Sequence, residues 1–163
     1  MIGVDIGLNG GICLLDDHGD LIDLWKPKLR EESGKNEWDA YHLANLLEEL
    51  RHMEDIIYLE ACGYHYKQSA TMRSAAMCEG ILVGVASALG YGLERVQAKD
   101  WQKKVLGRVP RGMTKEYATS YARGRWPSAS WLRTKKCKND DDGFVDAACI
   151  AIYGLNQTRG IEL

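Results

Sequence analysis

Four acidic residues stand out in this chain because each interrupts or adjoins an apolar run. Asp5 ends Ile2-Gly3-Val4 and is followed by Gly7, Gly10 and Gly11; Glu60 ends Ile56-Ile57-Tyr58-Leu59 and is followed by Gly63. Asp146 lies between Val145 and Ala147 in an otherwise apolar segment, with Asp142 four residues before it. A charge in apolar surroundings is costly unless it is used. Carboxylates gathered at one place also repel one another, so such a cluster requires cations, and an all-oxygen donor set suits Mg²⁺ or Mn²⁺. The chemistry open to it is hydrolysis of a phosphodiester, with two ions roughly 3.5–4 Å apart activating a water and stabilising the leaving oxygen. Each acid also has a plainer reading. Asp5 can cap a glycine turn, Glu60 can be a strand-end surface residue, and the run Asp140-Asp141-Asp142 can cap a helix and favour its dipole.

Whether the acids meet depends on the elements that carry them. Ile2 to Asp5, Gly11 to Leu15 and Leu21 to Trp25 read as three strands of an antiparallel meander, with a turn at Asp16 to Asp20. Pro27 to Glu37 is polar and reads as a loop. Trp38, Tyr41, Leu43, Leu46, Leu47 and Leu50 then recur at helical spacing, with Asn36 or Glu37 near the cap. Ile56 to Leu59 is the fourth strand, a long helix runs from Ser69 towards Leu89, and Leu93 to Val96 is the fifth strand. Short helices are predicted at Asp100 to Leu106 and Thr114 to Arg125, an irregular basic stretch at Ser128 to Lys138, and an apolar helix with an acidic start at the end. A crossover helix between strands one and four makes them parallel neighbours, which places Asp5 and Glu60 side by side at the carboxyl edge of an α/β sheet. Spacing of i, i+4 puts Asp142 and Asp146 on one helical face.

The chain has 163 residues, with 45% hydrophobic and 27% charged, which suits one domain spanning 1–163. Its net charge of −2 conceals a segregation. Between Arg95 and Lys138 there are 13 Lys and Arg against Asp100 and Glu116 alone, a net of +11, so the rest of the chain carries −13. This points to a basic surface for a polyanion. Lys99, Lys103, Lys104, Arg108, Arg111 and Lys115 are candidates to neutralise backbone phosphates, and Lys135, Lys136 and Lys138 to meet phosphate beside the acids. Tyr64 and Tyr66, with Lys67, follow Glu60 and are candidates to stack on unpaired bases or to pack as a lid. Five cysteines with no C-x-x-C spacing suggest neither a zinc site nor a disulfide framework. No leader is evident and the longest apolar stretch, Ile81 to Leu89, is short and broken by glycine. A soluble cytoplasmic protein, not secreted, is expected.

The motifs VDIGLNGG, IIYLEACG and DDDGFVDAACIAIYG, in this order, resemble those of the RuvC-like Holliday junction resolvases of the ribonuclease H-like superfamily. The resemblance covers nearly the whole chain. The stretches MCEGILVGVASALG, RVQAKDWQKKVLG and TKEYATSYARGRWP are similar to phage and related bacterial forms. It implies a ribonuclease H-like fold with a five-stranded mixed sheet, order 3-2-1-4-5, flanked by helices. It also implies that Asp5, Glu60 and Asp146 are catalytic metal ligands. Many members carry the fourth acid or His three residues before the last Asp, where this chain has Gly143; the role passes to Asp142, with Asp141 as the alternative. The implied activity is a magnesium-dependent endonuclease of DNA recombination and repair, a homodimer that places paired nicks in a four-way junction and takes no small-molecule cofactor. A YqgF-like RNA-processing nuclease of the same fold and a non-catalytic branched-DNA binder are the rivals. The D-x-G-x-x-G opening also resembles the phosphate loop of actin-like ATPases and sugar kinases, a fold that needs two such halves and far more chain.

Overall fold

Alternation along the first strands decides the layout. In the computed structural model, which describes residues 1–32, 34–62 and 70–160, β1 (Ile2–Asp5) pairs antiparallel with β2 (Gly11–Leu15), and β2 pairs antiparallel with β3 (Leu21–Trp25). The turn between β2 and β3 is held by Asp16, whose carboxylate accepts from the backbone N–H groups of His18 and Asp20. The polar segment after β3 is not a loop. It forms a hairpin of its own, β4 (Leu29–Glu32) against β5 (Lys35–Trp38), with Arg30 paired to Glu37. Trp38 is therefore the last strand residue rather than the first of the helix, and it is fully buried with its indole N–H donating to the Gly7 carbonyl. Helix α1 (Ala40–Leu50) begins after Asp39, not Asn36 or Glu37, because Asp39 accepts from the N–H groups of Tyr41 and His42.

β6 (Ile56–Glu60) lies parallel to β1, with Ile2 opposite Ile57 and Val4 opposite Leu59. Helix α2 (Ala70–Ala88) leads to β7 (Gly92–Val96), parallel to β6. The main sheet thus has the order β3-β2-β1-β6-β7, which is the expected five-stranded mixed sheet once the extra hairpin is set apart. α3 (Ala98–Trp101) starts two residues earlier than the sequence predicts and passes straight into a π-helical turn, Gln102–Leu106. α4 (Thr114–Arg125) and α5 (Asp142–Thr158) follow, separated by the irregular segment foreseen there.

Two cores result, one on each face of the sheet. Ile2, Val4, Ile12, Leu14, Ile57 and Leu59 pack against Leu43, Leu47 and Leu50 of α1 and Leu82 of α2. The intervening positions Cys13, Leu15 and Tyr58 turn to the other face, where the buried Ala147, Ala148, Cys149 and Ala151 of α5 cover the sheet. Contact there is backbone to backbone. A Cβ on Gly3 would strike the Ala147 carbonyl and the Ala151 amide, so only glycine lets α5 lie directly on β1. Among the described residues no helix is long and apolar enough to cross a membrane.

Candidate active site

Strand alternation aims the acids. Gly3 and Tyr58 face α5, and two residues on along each strand Asp5 and Glu60 share that face at the sheet's carboxyl edge. Parallel pairing ends with Val4 opposite Leu59, which makes Asp5 and Glu60 the next neighbours in register. Asp146, in the second turn of α5, meets them from above. The three act on one another electrostatically. Burial, followed by the charges of Asp146 and Glu60, holds the Asp5 carboxyl well above the usual carboxylate range. Burial, then Glu60 and Asp142, pushes Asp146 up to about 7, with Lys115 opposing. Burial also raises Glu60, against the hydrogen bond that its Oε2 accepts from the Trp101 indole at 2.8 Å.

The run before α5 divides its work. Asp140 pairs with Arg123 at 2.7 Å. Asp141 is the helix cap: it accepts from the Phe144 N–H at 3.3 Å and pairs with Lys26 at 2.5 Å. Asp142 lies in the first turn, more than half exposed, and pairs with Lys115 at 2.5 Å. The capping alternative thus describes Asp141, while Asp142 remains on the solvent side of the same acidic patch and adds to the charge felt by Asp146.

Among the described residues no group of three or more His, Cys, Asp or Glu side chains is arranged so that it could hold a metal ion. The acids fit an open site. Their donors are all carboxylate oxygens on one half-buried edge, and the proton affinities of Asp5 and Asp146 are raised first by burial and then by neighbouring carboxylates, a repulsion that a divalent ion would relieve. Mg²⁺ keeps several waters and is bound by one or two carboxylates with substrate phosphates rather than by an all-protein cage. Asp5, Glu60 and Asp146 are the residues that would hold it.

The candidate cations lie in the stretch from α3 to the start of α5. Lys99 is on α3, Lys103 and Lys104 are on the π turn beside Trp101, and Arg108 and Arg111 lie between that turn and α4. Lys135, Lys136 and Lys138 lie in the segment that ends at α5. All are exposed and, among the described residues, none of these eight pairs with an acid, whereas Lys115 is tied to Asp142. Tyr64, Tyr66 and Lys67 lie outside the described residues. Sequence reading missed two residues, Lys26 and Trp101. Lys26 gives no local signal, since its partners are 16 or more positions away; Trp101 could have been singled out as an aromatic among the lysines of RVQAKDWQKK.

The architecture defines an α/β protein of the ribonuclease H-like, RuvC-like fold. Among solved structures, the chain is similar to Thermus thermophilus RuvC in complex with a Holliday junction substrate, at TM-score 0.66 and 16% identity over 98% of this chain and 95% of that one. A second Thermus thermophilus RuvC structure gives TM-score 0.63 and 16% identity, covering 98% and 96%. No protein-family model matches the sequence, and no curated protein does.

Proposed function

We propose that this protein is a structure-selective DNA endonuclease that cuts four-way junctions and other branched DNA by metal-dependent phosphodiester hydrolysis. The observation that carries the reading is the meeting of three half-buried carboxylates, Asp5, Glu60 and Asp146, at the sheet edge, within a fold shared with a RuvC solved on a Holliday junction. A structural role alone would not explain burying these three charges together.

Asp5 is the central ligand, Glu60 and Asp146 flank it, and Asp142 is the fourth acid, free to turn inward when Lys115 is drawn to phosphate. Bound there, Mg²⁺ or Mn²⁺ supplies an activated water and neutralises charge on the scissile phosphate. Asp5 and Asp146 would orient the attacking water opposite the 3′ oxygen, so that the new P–O bond forms as the P–O3′ bond breaks, leaving 5′-phosphate and 3′-hydroxyl ends. Trp101 fixes one oxygen of Glu60 and so keeps the other aimed into the cleft. The lysines of α3 and the π turn hold one flanking backbone, and Lys135, Lys136 and Lys138 hold the other. Tyr64, Tyr66 and Lys67 complete the contact at the crossover. Paired nicks require two copies. What supports a homodimer is the outer face of α2, where Ala76, Met77, Gly80 and Gly84 are exposed and both glycines have open space above them.

The test is cleavage of a synthetic four-way junction beside matched duplex and structured RNA, with and without Mg²⁺. Mg²⁺-dependent symmetric nicks in the junction are expected. Preference for RNA would transfer the protein to RNA processing, and binding without cleavage in the presence of Mg²⁺ would leave a branched-DNA binder.

A further inference from the structure

Among the described residues Glu79 is the one acid that is buried, at 8% exposure, and it is not part of the acidic edge. It lies in α2, which packs on the other face of the sheet through its neighbour Cys78 and through Leu82. Its carboxylate is divided between two partners. Oε1 accepts from the Arg95 Nε–H at 2.8 Å, and Oε2 accepts from the Cys62 backbone N–H at 3.4 Å. Arg95 belongs to β7, where it stands opposite Leu59, and Cys62 follows Glu60 by two residues. These contacts meet at the end of β6. Register with β1 stops at Leu59 and register with β7 at Glu60, and one further backbone bond runs from the Ala61 N–H to the Val96 carbonyl at 2.8 Å. Cys62 comes next and has no strand partner, so the Glu79 carboxylate takes its N–H where the sheet no longer can. A strand end secured at Ala61 alone opens readily. Held also at Cys62, it is tied to α2 and, through Arg95, to β7. Stability is a poor reason for this arrangement, since a buried ion pair recovers little more than it loses on desolvation and an apolar side chain would fill the space as well. Arg95 is also half-exposed, where solvent screens the pair.

We propose that Glu79 is a positioning residue for Glu60: by fixing the backbone just beyond it, Glu79 holds the end of β6 so that the Glu60 carboxylate stays on the Trp101 indole and at the cleft. The inference rests on the reading of Glu60 as a site acid. Two anchors then act on Glu60, Trp101 on its side chain from the α5 face and Glu79 on its backbone from the α2 face.

Trp101 reports on this without any cleavage. Its indole N–H donates to Glu60 Oε2, while the indoles of Trp38 and Trp126 donate to the Gly7 and Gly19 carbonyls and serve as internal controls. Indole N–H exchange in the intact protein is followed by nuclear magnetic resonance, with the Trp101 signal assigned by its loss in Trp101→Phe. In Glu79→Ala the exchange is expected to be roughly tenfold or more faster at Trp101, with Trp38 and Trp126 unchanged. Glu79→Gln keeps one acceptor oxygen for two donors and is expected to fall between. An unchanged Trp101 in folded Glu79→Ala would overturn the proposal, as would equal acceleration of all three indoles, which would mean general loosening. If Glu79→Ala does not fold, Glu79→Gln decides, and faster exchange at Trp101 alone is the result expected. In junction cleavage Glu79→Ala should lower turnover by roughly tenfold at unchanged junction affinity, and full turnover would also overturn the proposal. Should the unsubstituted protein cut no branched DNA, the proposed function fails, while the indole exchange still decides the role of Glu79.

Discussion

The two faces of the sheet are built on opposite rules. On the α1 and α2 face, large side chains such as Leu47, Ile57, Leu59 and Leu82 fill the space, so the helices stand off from the strands. On the α5 face, Gly3 meets the helix backbone at Ala147 and Ala151, and the helix rests on the strands with almost nothing between. All three site carboxylates are on the second face. An acid on a helix can join strand-end acids only where helix and sheet are this close, and the contact that brings Asp146 to Asp5 is the one that admits no added methyl group. Side chains on the first face can rearrange without moving the site; on the second they cannot.

The comparison can be broken by experiment, most strongly through the charge that the α5 face buries. Asp146 is ordinary near 3.8 when unfolded and is pushed up to about 7 when folded. The folded protein therefore binds the extra proton, and its stability relative to Asp146→Asn is full below pH 4 and falls as the pH rises through 7. Three pKa units set an upper bound on the order of 4 kcal/mol at pH 8. Urea unfolding of the metal-free proteins should show Asp146→Asn gaining on the unsubstituted protein from pH 4 to 8, with Mg²⁺ narrowing the gap. A difference independent of pH would mean that Asp146 is not buried as charge.

Next in size is the packing contrast. Gly3→Ala presses a methyl group against helix backbone and should lower the unfolding free energy by about 3 kcal/mol, because neither element can yield. Trp101→Phe keeps a buried ring but removes the donor to Glu60, and should weaken the Mn²⁺ response by roughly tenfold or more without loss of junction binding. Smallest is Leu47→Met on the other face, a volume-conserving exchange that should cost less than about 1.5 kcal/mol and leave cleavage intact. If Gly3→Ala proved as mild as Leu47→Met, the close contact would not be what positions the site.

The order of the main sheet was legible because each of its strands carries an apolar run punctuated by glycine or an acid, and because a crossover helix forces β1 and β6 to be parallel. Asp5, Glu60 and Asp146 were legible for the same reason: a carboxylate is conspicuous in apolar sequence. The β4–β5 hairpin was not, since apart from Leu29 its exposed residues are all polar and its one buried residue, Trp38, also fits the helical period of α1. The division of Asp140, Asp141 and Asp142 among three cations could not be read locally either. Arg123, Lys26 and Lys115 reach them from distant positions that only the folded chain brings together. Lys26 was hidden most completely, as a single lysine between Trp25 and Pro27 with nothing periodic about it.

The central claim is that the buried acids exist to hold metal for strand cleavage. Its most direct test is Asp146→Asn assayed with Mg²⁺ on a four-way junction, with binding and cleavage measured on the same sample. Unchanged junction affinity with cleavage reduced by at least a hundredfold is the predicted result; cleavage at the unsubstituted rate would contradict the account.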